Sequence, residues 1–150
     1  AMDNLKKNNF IDPLNEAFRS NKPILGICLG MQLMCKSSIE GGESKGLNWF
    51  NVDVKKFNIK KTGKIPIIGW NSVNKKKNKI FNNIPNNADF YFLHSYYVPI
   101  NKIYTIGKSD VNFKYSSVIF KKNVYGFQFH PEKSQKHGIQ MIKNFINIKC

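Results

Sequence analysis

The fold of this chain is decided by residues 23–32, Pro23-Ile24-Leu25-Gly26-Ile27-Cys28-Leu29-Gly30-Met31-Gln32. A short apolar run ends in a cysteine that has a glycine two positions away on either side. This Gly-x-Cys-x-Gly pattern predicts a nucleophile elbow, in which a buried strand turns sharply into a helix. The residue at the apex then has a strained backbone. We expect both glycines to be required, because a side chain at either position would collide with the turn.

The Cys28 thiol would lie at the N-terminus of the elbow helix, where unpaired amides and the helix dipole favour a thiolate. The alternative interpretation is a buried strand whose cysteine is only a small apolar side chain. The pentapeptide alone leaves both interpretations open.

Length and composition predict one globular domain. The chain has 150 residues, of which 41% are hydrophobic, which is enough for one domain with its own core. The three cysteines, Cys28, Cys35 and Cys150, are an odd number without metal-like spacing, so we expect free thiols in a reducing compartment. No apolar run is long enough to span a bilayer. We therefore expect a cytoplasmic protein without a membrane partner, a metal or a cofactor.

The net charge of +15 is compatible with nucleic-acid binding, but its distribution disfavours it. The lysines are scattered in short groups among asparagines, and the single arginine is Arg19. Base recognition favours the forked guanidinium of arginine. We expect no nucleic-acid partner, and a basic surface that suits an acidic partner subunit or anionic substrates.

The hydrophobic pattern predicts a mixture of helices and strands. Helices are expected over Asp3 to Ser20, with a break at Asp12-Pro13, over Gly30 to Lys36, and after Ser134, which would cap a helix with an apolar stripe of Ile139, Ile142, Phe145 and Ile146. Strands are expected over residues 23–28, 49–57, 64–73, 88–99, 104–107, 117–120 and 124–130. Residues 39–47 are rich in glycine and are expected to form a loop.

A second motif lies near the C-terminus, Gly126-Phe127-Gln128-Phe129-His130-Pro131-Glu132-Lys133-Ser134. A strand would end at His130, and the carboxylate of Glu132 could orient the imidazole as a base. A histidine considered alone is more often structural. Together with the elbow, however, the chain carries a nucleophile, a base and an orienting acid in the order Cys28, His130, Glu132.

These two motifs resemble those of the class I (triad) glutamine amidotransferases. Further stretches are similar to the glutaminase subunit of imidazole glycerol phosphate synthase, and the similarity covers essentially the whole chain: 11–14, 22–33, 45–47, 66–71, 91–96 and 126–134. The resemblance implies an α/β fold with a mostly parallel or mixed central sheet flanked by helices.

The resemblance also implies roles for the motif residues. Cys28 would attack the carboxamide of glutamine, His130 would protonate the leaving amine and then activate water, and Glu132 would orient His130. The amide of Leu29 would be one oxyanion donor. His94 would be structural support rather than a second base.

Further roles follow from the same resemblance. Glutamine would be bound by Gly30, Gln32, Glu40, Ser95 and Tyr96. Trp70 and Lys133 would lie near the face that meets a cyclase partner. That partner is a (β/α)₈ barrel, forms a heterodimer with the glutaminase and receives ammonia from it for histidine biosynthesis.

The chain departs from this family at its start. Family members carry about fifty residues before the position of Ala1, including the first strands of the sheet and a glycine-rich loop with the second oxyanion amide. We therefore expect a domain over residues 1–150 that is N-terminally truncated, with half of the oxyanion hole. A truncated chain and a second chain that supplies the segment are both compatible with this.

Two other functions stay open at this stage. One is a paralogous amidotransferase that supplies ammonia to a sugar-amidating synthase. The other is an inactive scaffold that keeps the fold and only binds a partner.

Overall fold

A computed structural model of the chain describes residues 1–148. The helices in this range are α1 (Met2–Lys7), α2 (Ile11–Arg19), α3 (Leu29–Leu33), α4 (Ile59–Thr62) and α5 (Gln135–Ile146). The strands are β1 (Ile24–Ile27), β2 (Cys35–Ser38), β3 (Ser44–Lys45), β4 (Phe50–Asp53), β5 (Lys55–Lys56), β6 (Ile67–Lys75), β7 (Ala88–His94), β8 (Tyr96–Tyr97), β9 (Thr105–Asp110), β10 (Lys114–Lys121) and β11 (Val124–Phe127). No helix among residues 1–148 is long and apolar enough to cross a membrane.

The central sheet has the strand order β1-β11-β10-β9-β6-β7. Strands β1 and β11 are parallel, in a register that runs from Ile24 opposite Val124 to Ile27 opposite Phe127. The other neighbours in this sheet are antiparallel, as short connections between successive strands allow. The expected α/β fold with a mixed central sheet flanked by helices is therefore confirmed, and the parallel pair lies at one edge of the sheet.

The core is formed by two groups of buried side chains. The larger group is aromatic and lies between the sheet and α5, with Phe90, Phe92, Tyr115, Phe127, Phe129 and Met141 almost free of solvent contact. The smaller group lies under α3 and contains Met31, Met34, Trp49 and Phe50, on which Leu14 and Phe18 of α2 pack. Both groups exclude water from the sheet beneath the elbow, which fixes the position of α3.

The elbow has the strained apex that its sequence predicts. Cys28 has φ +48° and ψ −104°, a conformation that non-glycine residues rarely adopt. A Cβ atom at Gly26 would lie 2.6 Å from the carbonyl carbon of Gly30, so this glycine is required for the close approach of strand and helix. At Gly30 a Cβ atom would meet nothing within 4 Å, so the expectation that both glycines avoid a collision is wrong for Gly30.

Several predicted boundaries differ from the structure. The N-terminal helices are separated at residues 8–10, and α2 begins at Ile11, because Pro13 is tolerated in a first turn whose amides lack helical partners. The elbow helix ends at Leu33 rather than Lys36, since Cys35 already pairs with Phe50 of β4. The strands expected at 49–57 and 88–99 are each interrupted, and their second parts, β5 and β8, pair with each other.

The closing helix α5 follows its predicted apolar stripe only in part, because Phe145 packs against the core and Ile142 is half-buried. Gly138 and Met141 are buried, whereas Ile139 and Ile146 are 56% and 72% exposed. A Cβ atom at Gly138 would lie 1.9 Å from the Pro131 carbonyl oxygen, so α5 packs against the preceding turn through this glycine. That contact directs Ile139 outward. Ser134 makes no side-chain cap bond to α5.

The two elbow glycines give a matched test of this geometry. We predict that Gly26→Ala lowers the free energy of unfolding by about 1–3 kcal/mol or more, because its methyl group overlaps backbone atoms. Gly30→Ala has space for its methyl group and is expected to leave stability unchanged or raise it by up to about 1 kcal/mol. Urea denaturation of both variants measures the difference. Equal destabilisation by the two substitutions would contradict the asymmetry.

Candidate active site

The parallel pairing of β1 with β11 brings the two sequence motifs together. The Cys28 N–H donates to the Phe127 carbonyl at 2.7 Å and so extends the strand ladder into the elbow. The side chain of the next residue, Gln128, reaches the Cys28 sulfur at 3.7 Å across a sequence separation of 100 residues. His130 follows two residues later along the chain.

His130 and Glu132 form a close pair. The Nδ1 atom of His130 lies 2.7 Å from Oε1 of Glu132, and the two side chains are 20% and 56% exposed. A carboxylate at this distance holds the proton on Nδ1 and leaves Nε2 free to accept or donate a proton. The pair therefore has the orientation that a general base requires.

The backbone around His130 is fixed to strand β7. The His130 N–H donates to the Tyr91 carbonyl at 2.8 Å. The Ser134 hydroxyl donates to the His130 carbonyl at 2.6 Å and accepts from the Tyr91 N–H at 2.9 Å. The predicted capping role of Ser134 is wrong for this reason, because its hydroxyl is already used to attach the histidine turn to β7.

The sulfur of Cys28 contacts the Leu93 carbonyl at 3.6 Å and the Gln128 side-chain nitrogen at 3.7 Å, and the Leu29 N–H also donates to it. Within residues 1–148, no hydrogen bond joins this sulfur to His130. The triad of Cys28, His130 and Glu132 thus stays a prediction, with the His130–Glu132 half of it assembled.

Burial raises the pKa of the Cys28 thiol above its ordinary value of 9.0. The Leu29 N–H lowers this pKa, the Glu40 carboxylate raises it, the Gln128 side chain lowers it and the Glu132 carboxylate raises it. The sequence predicts that the helix N-terminus favours a thiolate, but burial has the larger effect on this pKa. In the unliganded protein at neutral pH, Cys28 is a thiol.

A cavity of about 220 Å³ opens beside the elbow. Leu29, Gln32 and Glu40 lie in its wall, together with Ser37 and other small polar residues. The cavity therefore gathers three predicted site residues next to the N-terminal end of α3. Among residues 1–148, no three His, Cys, Asp or Glu side chains are placed to hold a metal ion.

The remaining predicted glutamine-binding residues, Gly30, Ser95 and Tyr96, lie outside the lining of this cavity. The Tyr96 carbonyl accepts from the Gln32 side chain at 3.1 Å, so these two residues are in contact. The Ser95 carbonyl accepts from the Phe57 N–H at 3.1 Å. Gly30 lies in α3, where the space beside its backbone is open.

His94 supports the Tyr96 backbone from the buried side. Its Nδ1 atom lies 2.7 Å from the Tyr96 carbonyl oxygen. Burial lowers the pKa of His94 to about 4, so the ring is neutral at physiological pH and donates from Nδ1.

The two predicted interface residues, Trp70 and Lys133, meet on one tyrosine. The Trp70 ring packs edge-to-face on Tyr91 with centroids 6.1 Å apart, and the Lys133 Nζ lies 5.8 Å from the centre of the Tyr91 ring. Trp70 is 50% exposed, and on the same face Ile68 and Leu93 form the next cross-strand pair. We call the residues Ile68, Trp70, Tyr91, Leu93 and Lys133 the β6–β7 patch.

Sequence reasoning did not assign roles to Gln128, Tyr91 or Leu93. Gln128 was visible as part of the His130 motif, but only the β1–β11 register shows that it faces Cys28. The carbonyls of Tyr91 and Leu93 contact His130 and Cys28, respectively, through the strand backbone. Backbone contacts of this kind leave no signal in a side-chain motif.

The family model of class I glutamine amidotransferases matches residues 3–148. The chain belongs to the class I glutamine amidotransferase family.

Two relatives show the sequence similarity of this amidotransferase. The protein named imidazole glycerol phosphate synthase subunit HisH from Buchnera aphidicola is 44% identical, and the match covers 99% of this chain and 74% of that protein. The subunit named HisH 2 from Methanococcus maripaludis is 45% identical, with 97% and 73% covered.

Solved structures show the same fold at lower identity. The structure of PurLQS from Thermotoga maritima has a TM-score of 0.71 at 18% identity, covering 91% of this chain and 66% of that chain. The crystal structure of a glutamine amidotransferase from Thermotoga maritima has a TM-score of 0.60 at 21% identity, covering 93% and 54%.

The raised pKa of Cys28 has a measurable consequence. We predict that alkylation of Cys28 by iodoacetamide keeps accelerating above pH 9.0, because only the thiolate reacts and burial disfavours it. Cys35, whose pKa burial raises to about 12, is expected to stay unlabelled in the folded protein and serves as the control. Mass spectrometry of the two peptides measures both rates. A Cys28 midpoint well below 9 would contradict the dominance of burial.

Proposed function

We propose that this chain is the glutaminase subunit of an imidazole glycerol phosphate synthase and hydrolyses glutamine to glutamate and ammonia. This proposal is supported by the β1–β11 pairing, in which Ile27, the residue before Cys28, lies opposite Phe127, three residues before His130. His130 and Glu132 form a close pair at 2.7 Å. The relatives from Buchnera aphidicola and Methanococcus maripaludis carry the name of this synthase subunit.

In the first half of the reaction, the Cys28 sulfur attacks the carboxamide carbon of glutamine. Nε2 of His130 takes the thiol proton and gives it to the leaving nitrogen, so that the C–N bond breaks and ammonia departs. A γ-glutamyl thioester remains on Cys28. In the second half, His130 removes a proton from water, the hydroxyl adds to the thioester carbon, and the sulfur leaves with its proton restored as glutamate forms.

The pair of Glu132 and His130 suits this proton transfer. Glu132 holds Nδ1–H at 2.7 Å and stabilises the imidazolium that forms when Nε2 takes the proton. The thiol is protonated before substrate arrives, because burial raises its pKa. Transfer to His130 therefore belongs to the substrate complex, in which catalytic hydrogen bonds tighten relative to the free enzyme.

The charge that develops on the carboxamide oxygen needs donors. The Leu29 N–H lies next to the Cys28 sulfur at the start of α3 and is suited to donate to this oxygen. One preorganised donor of this kind is worth about 10²–10³ in rate.

The cavity beside the elbow suits the amino-acid end of glutamine. Glu40 supplies a carboxylate for the α-ammonium group, and the free oxygen of Gln32 can accept from the same group. The open space at Gly30 and the backbone at Ser95 and Tyr96 complete the set of glutamine-binding residues in this proposal.

The β6–β7 patch suits a protein partner. Its apolar side chains are exposed, and the strand beneath it contacts the site directly through the carbonyls of Tyr91 and Leu93. We assign this patch to a (β/α)₈ cyclase subunit, which would receive ammonia at the place where it is released. A heterodimer with free Cys28 and Cys35 thiols fits a reducing, cytoplasmic setting.

Release of ammonia and glutamate from glutamine tests the proposed reaction. With the cyclase partner present, Cys28→Ala is expected to reduce the rate by at least about 10³-fold, because the nucleophile is lost. Cys35→Ala is the matched control, since Cys35 is buried away from the cavity and donates to the Met31 carbonyl. Equal rates for wild type and Cys28→Ala would contradict the reaction. Recovery of a sugar-amidating synthase instead of a cyclase in a pull-down would show that the assignment of a cyclase partner is wrong.

The interface assignment has its own test. We predict that Trp70→Ala weakens cyclase binding by about tenfold or more, because exposed aromatic residues at the centre of an interface contribute most of its energy. Ile103→Ala is the control: this side chain is 79% exposed and lies in the turn before β9. Isothermal titration calorimetry measures both affinities. If Ile103→Ala weakens cyclase binding as much as Trp70→Ala does, the β6–β7 patch is not the interface.

A further inference from the structure

The sulfur of Cys28 ends a chain of hydrogen bonds, of which the central one is buried and the outer two are part-buried, and the proposed reaction assigns these bonds no role. The chain runs from the Tyr96 carbonyl through the carboxamides of Gln32 and Gln128 to the sulfur, with distances of 3.1, 3.1 and 3.7 Å. Gln128 is 0% exposed and Gln32 is 5% exposed. Carboxamides are costly to bury unless they are hydrogen-bonded, so this chain holds both side chains in fixed orientations.

The Tyr96 carbonyl sets the direction of every bond in the chain, because a carbonyl oxygen only accepts. It accepts from His94 Nδ1 at 2.7 Å and from the NH₂ group of Gln32. The second hydrogen of that NH₂ group meets the oxygen of Gln128. With its oxygen held by Gln32, Gln128 presents its own NH₂ group to the Cys28 sulfur.

We propose that Gln128 is a positioning residue for Cys28, whose carboxamide donates to the sulfur and stabilises it as the thiolate forms. The other contact of the sulfur, the Leu93 carbonyl, accepts from the thiol but cannot stabilise an anion. Loss of the thiol proton leaves the Gln128 NH₂ group and the Leu29 N–H to donate to the charge.

This role of Gln128 adds to the proposed function. It rests on that function only for the identity of the molecule that the thiolate attacks. Gln32 links this series of hydrogen bonds to the cavity proposed for glutamine, because it also lies in the cavity wall with Leu29 and Glu40. Removing Gln128 is therefore expected to act on the reactivity of the sulfur, whereas removing Gln32 acts on both substrate binding and the orientation of Gln128.

Two variants of similar shape test the proposal by the pH profile of iodoacetamide alkylation at Cys28. Gln128→Met keeps the volume but removes the donor, so we expect the midpoint to move upward and the rate at pH 8 to fall about 3- to 10-fold. Gln128→Glu adds a negative charge in the same shape and is expected to slow the reaction further. Gln140→Met on α5 is the control and is expected to keep the wild-type profile.

If the Gln128 side chain only fills space, the pH midpoint of Cys28 alkylation stays unchanged in Gln128→Met, even if the melting temperature changes. That result overturns the proposal. If neither Gln128 variant folds, Gln32→Met tests the proposal instead. This substitution removes the hydrogen bond to the Gln128 oxygen, so it must also raise the pH midpoint of Cys28 alkylation. Alkylation requires no glutamine turnover. A shifted midpoint in a protein without glutaminase activity therefore supports Gln128 while overturning the proposed function.

Discussion

The parallel pairing of β1 with β11 determines how the Cys28 and His130 motifs lie relative to each other. It sets the end of β1, where Cys28 turns into α3, against the end of β11, where the chain continues to Gln128 and His130. The ladder bond from the Cys28 N–H to Phe127 extends this register through the strained apex. The strain at φ +48° is maintained because the strand on one side and the packed helix on the other leave the residue no alternative.

Close packing around the elbow has an electrostatic consequence. The same burial that positions Cys28 raises its pKa, and the carboxylates of Glu40 and Glu132 act in the same direction. In the proposed mechanism, reactivity therefore depends on groups that favour the thiolate locally: the Leu29 N–H, the Gln128 carboxamide and a base that takes the proton. In the proposed reaction, Cys28 stays a protonated thiol until substrate is present and is not a reactive anion in water.

The sequence predicts the parts of this site that lie within single motifs. The elbow, the strand before His130 and the carboxylate beside it all have local signals, and the structure contains each of them. What could not be predicted depends on register and packing. Gly26 and Gly30 look equivalent in the pentapeptide, yet only Gly26 faces backbone atoms. Ser134 looks like a helix cap, but tertiary contacts to Tyr91 and His130 use its hydroxyl.

The proposed reaction requires Cys28 to form a covalent bond to substrate. Mass spectrometry of acid-quenched protein during turnover with ¹³C-labelled glutamine tests this most directly, with the cyclase partner present. We expect one labelled γ-glutamyl group on the peptide that contains Cys28, and we expect it to disappear when glutamine is exhausted. Turnover of glutamine without any labelled adduct on Cys28, or with the adduct on Cys35, would contradict it.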